Sequence, residues 1–239
     1  MKRSFRHLAT VPFLLLASIL TASTALADQI FLPERVFAPV GFDTNDNSEV
    51  VLYGHFPDSC YTAGLAKVEV RGRDILVRNY ALHWQSGTCL KALVPWTTTV
   101  NLGALASGNY TVRVQDSEGR MQRFTEINIL PSLTRRADDF PYAYVNGAIV
   151  NRTKDGVSLV MSGTFSLTCM EIAETRLRET NGVLVVLPIL RLRSDVPCGH
   201  PFAPIPFTRQ MSIRENSGNA VLIHIRSMNG QSLNQVMDF

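Results

Sequence analysis

The sequence lacks the local signatures of catalysis. It has no G-x-S-x-G, no H-E-x-x-H and no glycine-rich phosphate loop. The close Cys or His pairs that hold zinc, C-x-x-C and H-x-x-x-H, are absent as well. Lysine is scarce, with only Lys67, Lys91 and Lys154 after residue 27. No apolar run reaches the roughly 18–20 residues that a spanning helix needs, and the apolar pattern is too short-ranged for a helical bundle. These absences set aside the motif-bearing hydrolases, nucleotide enzymes, zinc proteins and helical membrane proteins. An enzyme would need a site assembled in space from scattered side chains, a cryptic hydrolase in effect.

What is present starts with a leader. Lys2, Arg3 and Arg6 precede the apolar VPFLLLASIL, and Ala25-Leu26-Ala27 gives a small-x-small cleavage site before Asp28. Residues 1–27 read as a signal peptide, with no membrane span after its removal. The leader holds three of the 23 Lys and Arg and none of the Asp and Glu, so 20 basic residues face 20 acidic ones in the remainder. A formally neutral chain has no basic footprint for nucleic acid. Export also puts the four cysteines where disulfides persist.

The stretch GHFPDSC (54–60) recurs as GTFSLTC (163–169). One offset of 109 carries Gly54, Phe56 and Cys60 onto Gly163, Phe165 and Cys169, Cys89 onto Cys198, and Pro95 onto Pro204. Phe31 and Val36 meet Phe140 and Val145, and after one inserted residue Ser107-Gly108-Asn109 returns as Ser217-Gly218-Asn219. The chain is a tandem duplication. Four cysteines allow three connectivities, and the duplication selects Cys60 with Cys89 and Cys169 with Cys198. Closing a loop of about 30 residues stabilises by roughly 3.5 kcal/mol in the chain-entropy account.

Within each copy, apolar residues alternate over short runs bounded by Gly, Pro, Asn, Asp and Ser, the pattern of strands. EVVLYGHF, AKVEVRG, DILVRNYAL, LKALVP, TTVNLG, YTVRVQ and RFTEINI are the expected strands of copy one. Asn181-Gly182, between RLRET and VLVVLPIL, marks a two-residue hairpin turn, with Gly72-Arg73 at the same place in copy one. Pro188 should mark an edge or a bulge. The expected fold is all-β: two tandem Ig-like β-sandwiches, each with one internal disulfide, spanning residues 28–130 and 140–239 across a linker of 131–139. Arg135-Arg136 in that linker is a candidate protease site.

Copy one reads G-x-F-P-x-x-C, then C-x5-P-W-x3-V-x-L-G-x-L-x-x-G-x-Y-x-V-x-V from Cys89 to Val114. This resembles a domain repeated in bacterial exported proteins, similar in fold to Ig-like modules. Copy two departs from it, with Ile205 for Trp96, Ser212 for Gly103 and Ala220 for Tyr110. The resemblance implies a shared scaffold and no particular activity.

Several residues are candidates for contact with a partner. Tyr61 follows Cys60. Trp96, Phe202 and Phe207 lie in or after the segments following the second cysteines, where LKALVPWTT becomes GHPFAPIPFT. Such aromatics form a contact patch if exposed and inter-sheet filling if buried; filling is the expectation. Arg191 and Arg193, with Arg176 and Arg178 across the hairpin, offer forks for carboxylate or phosphate, set against a solvated face relieved by Glu174 and Glu179. Asp43 to Asn47, DTNDN, has the oxygen-rich form of calcium linkers but reads better as a turn. No metal, cofactor or catalytic residue is expected. The four histidines after residue 27, His55, His83, His200 and His224, belong to no duplicated mechanism. The functional expectation is a secreted or periplasmic, non-enzymatic binding or adhesion-type module whose partner is a protein or an envelope glycan. An inhibitor or accessory subunit of a secreted hydrolase is the alternative, and the cryptic hydrolase a second one.

Overall fold

The computed structural model describes residues 27–84, 87–154, 156–214 and 220–238. Residues 1–26 of the leader, Asp155, the 217–219 repeat of Ser107-Gly108-Asn109, and Phe239 lie outside the described residues. Regular structure among the described residues is entirely β. The first half contains β1 (Ala27–Ile30), β2 (Arg35–Phe37), β3 (Phe42–Asp43), β4 (Ser48–Phe56), β5 (Tyr61–Arg71), β6 (Asp74–His83), β7 (Val94–Gly103), β8 (Gly108–Gln115) and β9 (Met121–Leu130). The smaller sheet orders β2-β4-β7. In the larger, β5 pairs one side of β6 while β8 and β1 share the other, and β9 and β3 follow β8. The second half contains β10 (Tyr144–Thr153), β11 (Gly156–Phe165), β12 (Met170–Thr180), β13 (Val183–Leu192), β14 (Ile205–Ile213), β15 (Val221–Ser227) and β16 (Gln231–Met237). Its sheets order β10-β11-β14 and β12-β13-β15-β16.

Each half is a β-sandwich with its own core. In the first, Leu52, Phe56, Ile75, Val77, Trp96, Val112, Val114, Ile127 and Ile129 interdigitate between the sheets. In the second, Leu159, Met161, Val186, Ile223 and Ile225 do the same. The alternation of β6 and β11 follows from this, every second side chain pointing inward. Each fully buried Leu, Ile or Phe stabilises by roughly 1.5–3 kcal/mol. Each larger sheet contains parallel pairing, β6 with β8 and β3 with β9 in the first and β13 with β15 in the second, unlike the antiparallel sheets of antibody-type sandwiches.

Both disulfides form as the duplication requires, Cys60–Cys89 and Cys169–Cys198. Beside them, Trp84 N donates to Cys60 O and Arg193 N to Cys169 O, so the two closures are built alike.

The strand registers correct the alignment of the copies elsewhere. Phe56 pairs with Val94 while Phe165 pairs with Ile205, so the offset after the second cysteine is 111. Trp96 therefore corresponds to Phe207 and Pro95 to Pro206; past the irregularity at Ser48/Glu49, Gly103 faces Ser48 as Ile213 faces Val157, so its counterpart is Ile213 rather than Ser212. The same offset holds in the parallel ladders, Asp74 with Thr111 and Val183 with Leu222, making Val221 and not Ala220 the counterpart of Tyr110. Before β4 the offset is 112: Leu52 faces Val36, whereas Met161 faces Ala148, so Phe140 and Val145 are not the equivalents of Phe31 and Val36. The connection from β2 to β4 is longer than the tight turn from β10 to β11, and it holds β3 and the DTNDN stretch.

Two strand expectations also change. LKALVP is no strand of its own; residues 90–93 are irregular, and Val94-Pro95 begins the single strand β7 that contains TTVNLG. Pro95 is tolerated because β7 is a sheet edge. Pro188 lies on β13 beyond the four-residue ladder with β15 and next to the β12 bulge at Ile172/Glu174, so the donor it lacks is not missed, while its carbonyl accepts from Ala143 N. The hairpin turns are as the dipeptides suggest: Asn181 and Gly182 both take positive φ, 52° and 75°, and Gly72 takes 60°.

The two sandwiches dock through different faces. The outer side of the smaller first sheet, Phe37, Val51 and Tyr53, packs on the outer side of the larger second sheet, Val183, Val185 and Leu222, together with Ala220. Strands β4 and β15 are in consequence buried on both faces along nearly their whole length.

Candidate binding surfaces

Exposed apolar side chains lie close in sequence to the disulfide of each sandwich. Around Cys60–Cys89, Leu90 and Leu93 are 69% and 73% exposed, and Trp84 is half exposed. Ser59 N donates to Leu90 O and Leu90 N to Ser59 Oγ, which fixes the loop against the strand that precedes the cysteine. Asp58 Oδ1 accepts from Cys60 N and Asp58 Oδ2 pairs with Lys91 Nζ at 3.3 Å. In the second half Thr168 N donates to Gly199 O, Thr168 Oγ1 to Pro197 O, and Leu192 and Phe202 stand exposed nearby in sequence. Phe202 is fully exposed, so the expectation of inter-sheet filling is corrected for it: the loop is two residues longer than its counterpart and holds the ring outside the sandwich.

The other aromatic candidates are filling. Trp96 is buried and stacks on Phe56, with ring centroids 5.5 Å apart; Phe207 stacks on Phe165 at 4.6 Å. Each lies over the glycine opposite it, Gly54 or Gly163, where a Cβ would meet the ring at 3.1 Å and 2.7 Å respectively. Those two glycines are thus required by close approach of an aromatic face. Tyr61 is half-buried between Phe56 and His83, its ring 4.4 Å from the imidazole.

Three of the four arginine candidates are paired with acids. Arg191 bonds Glu171 across the β12–β13 ladder, Arg176 bonds Glu174, and Arg193 forks onto Asp195. All are largely exposed, where such pairs contribute little to stability.

The polar residues with the most developed environment lie between the sandwiches. Arg226 donates to both oxygens of Asp46, at 3.0 and 3.3 Å, and to Gly41 O at 3.2 Å, with its guanidinium 4.2 Å from the centre of the Phe42 ring. Asp46 Oδ2 also accepts from Asp43 N, and Asp43 Oδ1 from Asn45 N. DTNDN is a turn whose carboxylate anchors the other half of the chain. Beside it, Glu49 Oε1 accepts from Ser232 Oγ and Asn234 Nδ2, both at 2.6 Å, and lies 3.2 Å from Nδ1 of the fully buried His224. Burial alone would raise Glu49, but the hydrogen bonds from His224, Ser232 and Asn234 outweigh it and hold the carboxyl below its ordinary value. Burial, with Asp43 and Asp46 adding repulsion, raises Asp139. Tyr142 is pushed up to about 12, mainly by burial. Tyr53 Oη donates to Asp238 Oδ2, and Arg35 Nη1 to Ala220 O. The connecting segment is held too, Asp138 accepting from Asn229 N and Gly230 N, while Arg135 and Arg136 are exposed.

A shallow groove of about 570 Å³ runs along this joint, lined by Asn47, Thr99, Asn101, Gln231 and Asn234. A smaller opening of about 270 Å³ between β12 and β14 is lined by Leu177, Leu184, Val221 and Met237, with Glu179 and Arg214.

Sequence reasoning missed this joint, although a signal existed. At the registered offsets, Val183, Leu187 and Leu222 stand where copy one has Asp74, Arg78 and Thr111. An apolar residue in one copy and a charged or hydroxyl one in the other marks a face covered in only one of them.

Residues 50–125 match the family described as the ORF11 beta-sandwich domain. No curated protein and no solved structure matches the chain. The family match falls inside the first sandwich and supports membership of that region in a β-sandwich domain family.

Proposed function

We propose that the protein is an exported, non-enzymatic recognition module that holds a protein partner on the disulfide-closed ends of its sandwiches. The observation that carries this reading is the exposure of Trp84, Leu90, Leu93 and Phe202 on loops fixed by a covalent bond and backbone hydrogen bonds. Rigid apolar side chains lose little conformational freedom on binding, which is what an interface anchor requires. The best-developed cluster of buried ionisable groups, Asp46, Glu49, His224 and Arg226, is engaged in joining the sandwiches. The leader and the disulfides favour an oxidising space outside the cytoplasm.

The test is retention of partners from an envelope extract by the immobilised chain beginning at Asp28. Wild type should retain a defined protein that the triple variant Trp84→Ser/Leu93→Ser/Phe202→Ser, with an unchanged thermal midpoint, does not. Equal retention by the two forms, or none by either, would refute the proposal. A neutral glycan is the second reading, favoured by the amide-lined groove at the joint. It predicts binding that survives the triple substitution and is lost on Asn101→Ala/Gln231→Ala.

A further inference from the structure

We propose that β5 is the edge through which two copies of this chain join, antiparallel and centred on Val68, into one continuous sheet. Among the described residues β5 is hydrogen-bonded only to β6. The two-residue turn makes Arg71 and Asp74 a pair that exchanges hydrogen bonds. By alternation Lys67, Glu69 and Arg71 direct their backbone groups at β6, and Val68 and Val70 direct theirs at the open edge. Val68 and Val70 pair with the buried Val77 and Ile75 and so lie on the core side, yet they remain 38% and 40% exposed, because no strand continues the sheet beyond them.

A second copy fits by charge. About a two-fold axis at Val68, Lys67 stands opposite Glu69 of the other copy, and Glu69 opposite its Lys67. Val68 meets Val68 and Ala66 meets Val70, which extends the apolar strip across the axis. Opposite charges placed so are favourable and like charges unfavourable. The equivalent edge of the second sandwich, β12, is self-repelling about Leu177, since Arg176 would face Arg178. The pairing is therefore specific to the first sandwich. It is isologous and closes at two copies. Charged edge strands usually guard against such contacts, but the order Lys-Val-Glu selects one antiparallel register.

The test is sedimentation velocity of the chain from Asp28 over a concentration series. Wild type should show a monomer–dimer equilibrium. Lys67→Glu and Glu69→Lys should each weaken it at least about tenfold, because two cross-strand pairs change sign. The double variant Lys67→Glu/Glu69→Lys should restore it. Val68→Pro, which removes an outward N–H, should give monomer, and Leu177→Pro should leave the dimer intact, with far-UV spectra as the control for folding. Wild type monomeric throughout, or a dimer equally stable in Lys67→Glu and Val68→Pro, would overturn the proposal.

Discussion

Replacing Arg226 with Met should uncouple the two sandwiches. The guanidinium is buried and makes three hydrogen bonds, two to Asp46 and one to Gly41 O, and it covers the Phe42 ring of the first core. Met fills much of the same volume but leaves the Asp46 carboxylate buried with only the Asp43 N–H among these donors. Removing one partner of a buried ion pair costs about 3–5 kcal/mol, most of it the uncompensated charge. With a urea dependence of roughly 2–3 kcal/mol per M, the midpoint should fall by about 1–2 M. The assay can separate the halves, because both tryptophans, Trp84 and Trp96, belong to the first one. Wild-type fluorescence and far-UV circular dichroism should give coincident unfolding curves, the mark of one cooperative unit. In Arg226→Met the curves should part. Adding Asp46→Asn removes the stranded charge while an amide oxygen can still accept from Asp43 N, and should recover about 1–3 kcal/mol. A loss under about 1 kcal/mol with curves still coincident would refute the view that this pair joins the sandwiches.

Three further outcomes follow from the same geometry. Cys60→Ser/Cys89→Ser should lower stability by roughly 3.5 kcal/mol in denaturant titration, and also loosen the loop bearing Leu90 and Leu93, read as faster amide exchange there. Trp96→Ala should cost about 3–5 kcal/mol as a buried aromatic deletion, whereas Phe202→Ala should change stability by less than about 0.5 kcal/mol; comparable losses would contradict the burial assignment. Glu49 is held below its ordinary value of 4.5, so its stabilising contribution is present above that pH and lost as pH falls through the folded value. Thermal midpoints of wild type should then drop more steeply than those of Glu49→Gln on acidification from pH 5 to 3. Asp139, raised by burial, acts in the opposite sense and is relieved by acid, so Asp139→Asn serves as the control.

The sandwich fold and the sulfur pairing were legible because each rests on a repeated local pattern. GHFPDSC and GTFSLTC are the same edge of the same core, and alternation reports directly on which side chains point inward. Alignment failed where a constant offset was carried past an insertion. Val-Pro-Trp at 94–96 has its match in Ile-Pro-Phe at 205–207, two residues beyond the place assigned to it, and the strand ladder is what recovers it. The joint between the halves was harder to see. Asp46 and Arg226 lie 180 residues apart, and nothing local in DTNDN distinguishes a cation-binding loop from a turn that receives a distant guanidinium. Phe202 departs from the expected burial for a related reason: apolarity gives a preference for burial, but a longer loop decides whether the ring can reach the interior.

Because the sandwiches meet through unlike faces, the contact has a direction, and each outer end of the molecule displays the counterpart of a surface already used in the middle. Left unaltered after duplication, such ends would invite further modules to stack without limit. In the first sandwich Asp74, Arg78 and Thr111 stand where the second has Val183, Leu187 and Leu222 in the joint, so their polarity withholds that face from a like contact.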